Sequence, residues 1–470
     1  MDRDRLDHWC EKGILGLVLA ILVFGPLSAG AVRPMEFLVL QGLTMGVILL
    51  WIVRLWLRRG HRLLWPPVCW SVVAFTGYAI VRYSLAEIEY VARGELIRIV
   101  IYAFLFFAIV DNLNRQEATQ LISFALVFLG MAVSLYAIYE FITNSPIVWH
   151  LLEPEHKPEQ YMKRGTGTFI CPNNLAGFLE MILPLGLACT LTGRFKPTTK
   201  VFLGYASVAM LAGIGVSMSR GGWLAAGLSL FVLFGVLFCS RTSRLPAVIF
   251  VTLLVAGGVF FFKSYQPQHR WRQMFHESGV VDDVRFHLWK PAIRIWHEHF
   301  WWGGGPGHFD YRFPAFRPVV VQLRAGYAHN DYLNTLADWG MAGMILVASA
   351  WLLLYLGVFK SWKFVRRSND FGSKPSNRAS FVLGAAVGLF AILLHSIVDF
   401  NMQIPANAIL AVAFMAMLTG HSRFATERHW VSPGWAIRIG VTILGVAGLA
   451  YLGQQGLRRA REHALLTQAE

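Results

Sequence analysis

Residues 35–57 read MEFLVLQGLTMGVILLWIVRLWL, with Glu36 near one end, Arg54 near the other, and Arg58, Arg59 and Arg62 following at once. A bilayer core about 30 Å thick needs roughly 20 mainly apolar residues per helix, and this stretch has that length. The same pattern recurs along almost the whole chain, at 13–32, 63–83, 95–112, 118–142, 174–192, 200–218, 222–239, 245–262, 334–359, 380–398, 403–419 and 435–453. The expectation is an all-α polytopic integral membrane protein with about 12–13 transmembrane helices, forming a single membrane domain over 1–470. Composition agrees: 56% of residues are apolar, 15% are charged and the mean hydropathy is +0.50, whereas a soluble domain is near a quarter charged.

The first apolar run ends in Ala29-Gly30-Ala31, which would suit a signal-peptide cleavage site. Its length and the second run that follows almost immediately favour a membrane anchor instead. Orientation follows from the bias of Lys and Arg toward cytoplasmic loops. One side collects Arg54, Arg58, Arg59 and Arg62, then Arg194, Lys196 and Lys200, then Arg241 and Arg244, then Lys360, Lys363, Arg366, Arg367, Lys374 and Arg378. The opposite, extracytoplasmic side holds the Ser84–Gly94 connection, the 144–172 loop, the Ser219-Arg220 turn and a long loop over 263–333. Thirteen spans also put the tail with Arg458, Arg459 and Arg461 on that side, against the bias. The net charge of +15 is then topological signal and anionic-lipid contact, with no nucleic-acid partner implied. Cys10, Cys69, Cys171, Cys189 and Cys239 are scattered and give neither a disulfide framework nor a zinc spacing.

Loops as long as 263–333 inside a compact bundle are usually functional. This one carries Arg285, Trp289 and Arg294, then Gly303-Gly304-Gly305-Pro306-Gly307, and ends in Ala328-His329-Asn330-Asp331 at the next span. The glycine run lacks the Lys-Ser/Thr of a phosphate loop and reads as a flexible turn able to shape an acceptor groove. Ser219-Arg220-Gly221-Gly222-Trp223 opens another span, with two glycines that remove bulk beside the guanidinium. Asn173 and Asn174 follow Pro172 and fit a helix cap, Asn173 also standing as a substrate contact. His395 and Asp399 are four apart, hence on one helix face, at the extracytoplasmic end of their span. Arg98 is three residues from Glu95 and suits a local ion pair.

Read together, these motifs resemble the O-antigen ligase and O-antigen polymerase superfamily of bacterial membrane glycosyltransferases. The sharpest element is His329-Asn330, nine residues, Gly340, two residues, Gly343; Ser219–Trp223, Arg285 with Trp289, and the Gly167–Asn174 run accompany it in order. The likeness covers about 165–405. It implies transfer of a glycan from undecaprenyl diphosphate to an acceptor hydroxyl (lipid A core, glycan or protein) on the periplasmic side of the bacterial inner membrane. In that role Arg220 and Arg285 bind the leaving diphosphate, since a guanidinium holds such oxygens bidentately, and His329 takes the acceptor proton, histidine being the residue type suited to that transfer near neutral pH. Asn330, Gly221, Trp289, Asn173, Asp399 and His395 are the expected substrate contacts. No Asp-x-Asp motif stands at that face, so no metal or other cofactor is implied.

Each residue also has a plainer reading. Arg220 suits an interfacial anchor, Arg285 a pair with Asp282 or Asp283, and His329 a histidine bonded to a backbone carbonyl. Within the superfamily, polymerisation of lipid-linked repeats and protein glycosylation stand beside ligation. From a different class, a transporter of an anion or lipid-linked sugar would line its path with Arg220 and His395 at mid-depth.

Overall fold

A computed structural model describes residues 3–57, 60, 62–152, 154–239, 244–263, 284–322, 324–366, 376–424 and 427–469. Arg58, Arg59, Arg241, Arg367, Lys374, Asp282 and Asp283 lie outside these residues. Among them are fifteen helices: α1 (Arg3–Leu27), α2 (Pro34–Leu57), α3 (Val68–Ser84), α4 (Glu89–Asn112), α5 (Gln116–Thr143), α6 (Pro172–Thr192), α7 (Pro197–Val216), α8 (Arg220–Phe238), α9 (Arg244–Phe262), α10 (Val284–Glu298), α11 (Phe309–Phe316), α12 (Asp331–Arg366), α13 (Asn377–His395), α14 (Pro405–His421) and α15 (Trp435–Ala469). Each of the thirteen expected apolar stretches holds a helix, the 63–83 stretch from Val68 onward. Nine of the described helices are long and apolar enough to cross a membrane, and α9 and α14 are shorter apolar helices. The protein is an all-α polytopic membrane protein.

At the centre stands α6, buried at every position from Asn174 to Cys189. Lipid offers no hydrophobic drive between helices, so close packing of small residues has to hold them. A Cβ on Gly384 of α13 would lie 2.4 Å from the Leu185 Cα, and one on Gly388 would lie 2.1 Å from the Met181 carbonyl oxygen. Two glycines one turn apart thus let α13 lie directly on the α6 backbone.

The described part of the long loop is folded down onto α12, and the means is a break in that helix. Gly340 takes φ +66°, ψ −170°, outside the helical region. A break leaves backbone donors and acceptors unpaired, which is costly away from water. Here the loop takes them up: Gly304 N–H donates to Ala337 O (2.7 Å) and Gly305 N–H to Asp338 O (3.0 Å), while Met341 and Ala342 N–H donate to Phe300 O (2.9 Å) and Trp301 O (3.1 Å). The Tyr78 hydroxyl covers Trp339 O at 2.6 Å. Gly303, at φ +72°, faces Gly340 so closely that a Cβ on it would lie 2.4 Å from both Asp338 O and Gly340 N. The run 303–307 is therefore a pinned clasp, which corrects its reading as a flexible turn.

The tail of α15 meets the start of α4. Arg458 pairs with Glu89 (3.2 Å) and Arg93 with Glu462 (3.0 Å). These acids let the basic tail share the bundle end of the Ser84–Gly94 connection. At the other end a two-residue ribbon joins Leu63–Leu64 to Trp430–Val431, and buried Arg54 is held by Asp7 and Glu11.

The clasp generates a stability prediction. Gly340→Ala or Gly303→Ala should lower the melting temperature in detergent by several degrees, since a side chain at such a φ costs about 1–3 kcal/mol before the clash is counted. Gly235→Ala, in α8 with open space around it, should leave it unchanged or slightly raised. Scanning fluorimetry of the three purified variants checks both.

Candidate active site

The starts of α6, α8, α10 and α12 and the end of α13 meet at one end of the bundle, and Asp399 sits where they meet. It is fully buried. Its Oδ2 accepts from Asn173 Nδ2 (2.7 Å) and Arg285 Nη2 (3.2 Å), and its Oδ1 accepts from the Phe400 N–H (2.9 Å). His329 Nδ1 faces Oδ1 at 3.5 Å, long for a hydrogen bond but close for charge, and His395 Nε2 lies 4.0 Å from Oδ2. Burial by itself would push this carboxyl up, but His329, Arg285 and His395 outweigh it and hold the group well below the usual carboxylate range. Asp399 is thus an anion at neutral pH. It does not extend α13, which ends at His395; the chain turns, and the Val398 N–H donates to His395 O at 3.0 Å. That corrects the single-helix-face expectation, although the turn keeps the two side chains together.

His329 has φ +50°, a conformation rare for a residue with a side chain. Its ring stands edge-on to Phe400 at 4.7 Å between centroids. Nδ1 is buried toward Asp399 while the side chain as a whole keeps 33% exposure, so the ring presents its other edge outward. The two residues that follow fix this pose. Asn330 Oδ1 accepts from the Leu333 N–H at 3.0 Å, capping α12. Asp331 Oδ2 accepts from the Ser396 hydroxyl (2.8 Å) and the Met402 N–H (3.1 Å), latching the start of α12 to the turn after α13. Asn330 is therefore engaged in holding the helix that presents His329.

Arg285 lies in the first turn of α10 and reaches down to Asp399. Trp289, one turn on, packs edge-on against Phe286 at 4.9 Å, and its buried indole N–H has no hydrogen-bond acceptor among the described residues. Arg220 opens α8, whose start is capped by Ser219 Oγ accepting from the Gly222 N–H at 3.2 Å. The glycines beside it serve helix packing: a Cβ on Gly221 would lie 2.8 Å from Val398 and 3.0 Å from His395 Nε2, and one on Gly222 would lie 2.7 Å from the Ala176 Cβ. Space at Gly221 is filled by protein, and its absent side chain is what lets α8 approach His395.

Asn173 does not cap α6, whose cap position is Cys171. Its Oδ1 instead accepts from Arg164 Nη2 at 2.8 Å, so it bridges Arg164 and Asp399. Arg164 was not singled out from the sequence, nor was Glu180. Arg164 Nε donates to Ser217 O (2.9 Å), and its own carbonyl accepts from Lys157 Nζ (3.0 Å), which pairs with buried Glu140 at 3.7 Å. Glu180 is fully buried in α6 and meets His395 Nδ1 at 3.0 Å. An acid within an apolar span is itself a functional signal; for Arg164 no comparable signal stands in the sequence. Arg98 pairs with Glu95 at 2.7 Å, as its spacing predicted.

The site therefore alternates charge from Arg164 through Asp399, with Arg285 and the two histidines, to Glu180. It can hold an anion beside fixed guanidinium groups and offer an imidazole backed by a carboxylate. Against known families, the O-antigen ligase model matches residues 205–348, from within α7 to just beyond Gly343. It takes in Arg220, Arg285, Trp289 and His329, and ends before His395 and Asp399. No curated protein matches the chain. The chain is thus a multi-pass membrane protein whose residues 205–348 are similar to the O-antigen ligase family.

Proposed function

We propose that the protein is an O-antigen ligase-like glycosyltransferase that moves a glycan from undecaprenyl diphosphate to an acceptor hydroxyl at the periplasmic face of the bacterial inner membrane. The observation that carries this reading is the meeting of His329 and Arg285 on one buried carboxylate, Asp399, at the bundle end where α8 begins with Arg220.

The outward edge of His329 accepts the proton of the acceptor hydroxyl as its oxygen bonds to the anomeric carbon. The bond from that carbon to the diphosphate oxygen breaks, and the electron pair leaves with the lipid diphosphate. Arg220 and Arg285 stabilise the charge on that leaving group, as preorganised cations do where charge develops. Asp399 stays ionised and stabilises the imidazolium that forms. His395, held by Glu180, keeps Asp399 buried without protonation. The arginines supply the neutralisation that a divalent ion would otherwise give.

A transporter would set its charged residues along a path at mid-depth. Arg220, Arg285 and His329 instead sit at helix starts at one end, which favours transfer.

Purified protein supplied with undecaprenyl-diphosphate-linked glycan and separate acceptors tests the reading. Product on lipid A core alone is the expected result; chains that lengthen with no added acceptor would establish a polymerase, and product on a pilin-like protein a protein glycosyltransferase. Absence of product with every acceptor would overturn it.

Replacing His329 by Ala, or Arg285 by Lys, should cut turnover on the order of a hundredfold or more at equal membrane level. Near wild-type turnover in either variant would remove that residue from the mechanism. Asp399→Asn should cost a comparable factor, and Asp399→Asn combined with His329→Ala should be no slower than His329→Ala alone within a few-fold, because residues acting as a unit are not additive. Additive losses would show that Asp399 works independently of His329.

A further inference from the structure

Glu180 lies in the third turn of α6, a helix long and apolar enough to cross a membrane, and it is fully buried. An ionisable group so placed is costly to keep and marks function. Its two carboxylate oxygens lie 3.0 and 3.1 Å from Nδ1 of His395, which is equally buried. An ionised carboxylate only accepts, so the proton of this contact sits on Nδ1.

The opposite ring nitrogen decides the charge. His395 Nε2 is buried, lies 4.0 Å from Asp399 Oδ2, and has no hydrogen-bond partner among the described residues. Gly221 closes the space beside it, since a Cβ there would lie 3.0 Å from the same nitrogen. A neutral ring with its proton on Nδ1 would turn a bare lone pair toward the Asp399 carboxylate. A second proton makes the same approach attractive, so the ring suits its place as an imidazolium between two anions.

The other charged groups around this ring come from every neighbouring helix. Arg285 of α10 pairs with Asp399 at 3.2 Å, Asp331 of α12 holds the hydroxyl of Ser396 at 2.8 Å, and Arg220 precedes Gly221 at the start of α8. His329 faces the second oxygen of Asp399 at 3.5 Å. Glu180, His395, Asp399 and His329 thus form one line of alternating acid and imidazole from inside a span to the reacting edge.

We infer that Glu180 is a positioning residue that sets how readily His329 gives up and takes a proton: its charge keeps His395 cationic, and His395 withholds part of the Asp399 charge from His329. A base that must accept a proton in the reaction is useless if the carboxylate beside it holds it protonated beforehand. A cation on the far side of Asp399 tempers that pull. The inference rests on the transfer reading for its part in turnover, whereas the coupling itself is measured on the resting protein.

Diethyl pyrocarbonate acylates a neutral imidazole nitrogen, so its rate of reaction with the partly exposed His329 rises with pH through a midpoint. That rate is followed in full-length protein in detergent by mass spectrometry of the His329 peptide. Glu180→Gln keeps the shape and an oxygen for Nδ1 but lets His395 lose its proton; the Asp399 charge then bears more fully on His329, and the midpoint should rise by about one pH unit. Glu180→Asp, which keeps the charge, should move it by less than half as much. The double variant Glu180→Gln, His395→Gln should match Glu180→Gln, and it gives this reading without an unpaired buried charge. A midpoint that falls or stays in Glu180→Gln would overturn the inference, because losing an acid while His395 stays charged can only make His329 easier to deprotonate. A double variant whose midpoint departs from that of Glu180→Gln would also overturn it.

In the transfer assay the acid limb of kcat should move up by the same amount in Glu180→Gln, with KM within about twofold. A lower plateau with an unmoved limb would mean packing alone and would sink the inference. Absence of transfer by the wild type would sink the transferase reading, and the labelling midpoints would still decide the coupling.

Discussion

A carboxylate removed from water costs several kcal/mol even after the protein relaxes around it, and Asp399 is wholly removed. Its position is tolerable only because Asn173, Arg285, His329 and His395 arrive from four different segments to surround it. Each of those segments is in turn fixed elsewhere: Asn173 by Arg164, His395 by Glu180, and the start of α12 by Asp331 on Ser396. A single buried anion thus ties the 144–172 loop, the long loop and the turn after α13 into one structure. The same charge faces the imidazole of His329 at 3.5 Å, so what stabilises the assembly also helps set the pose of that ring.

The loop that brings Arg285 must nevertheless be held against the bundle, and the means is backbone chemistry. The break at Gly340 exposes carbonyls and amides, and residues 300–305, together with the Tyr78 hydroxyl on Trp339 O, satisfy them. Gly340, the first glycine of the Gly-x-x-Gly that follows His329-Asn330, is therefore a docking device, and Gly303 is its counterpart. Each clears space for the other segment, and Asp338, one turn after Asn334, carries the connection onward to Phe309.

Much of the fold was legible because its governing signal is length of apolar run, which needs no tertiary knowledge. Each of the thirteen runs holds a helix, and the Arg98–Glu95 pair followed from spacing on one helix. His329 and Arg220 were legible as residue types at helix starts, and Arg285 as a residue of the long loop. What was hidden depends on segments far apart in the chain: Arg164 reaches Asp399 only through Asn173, and Glu180 gains a role only once α13 lies against α6. The glycines of Ser219–Trp223 were open to misreading for the same reason, since the atoms that fill the space at Gly221 belong to His395 and Val398.

The position of the site at one end of the bundle is also an electrostatic consequence of topology. Four helices, α6, α8, α10 and α12, begin there, and each helix start carries partial positive charge from its unpaired amides. Arginines added at this end reinforce a field already favourable to anions, and Asp399 and Glu180 keep the histidines from being expelled by it. Phe400, which stacks on Tyr327 at 4.8 Å and carries His329 on its edge at 4.7 Å, adds an uncharged surface to this field, so the pose of His329 rests on an aromatic contact on one side and on the Asp399 carboxylate on the other.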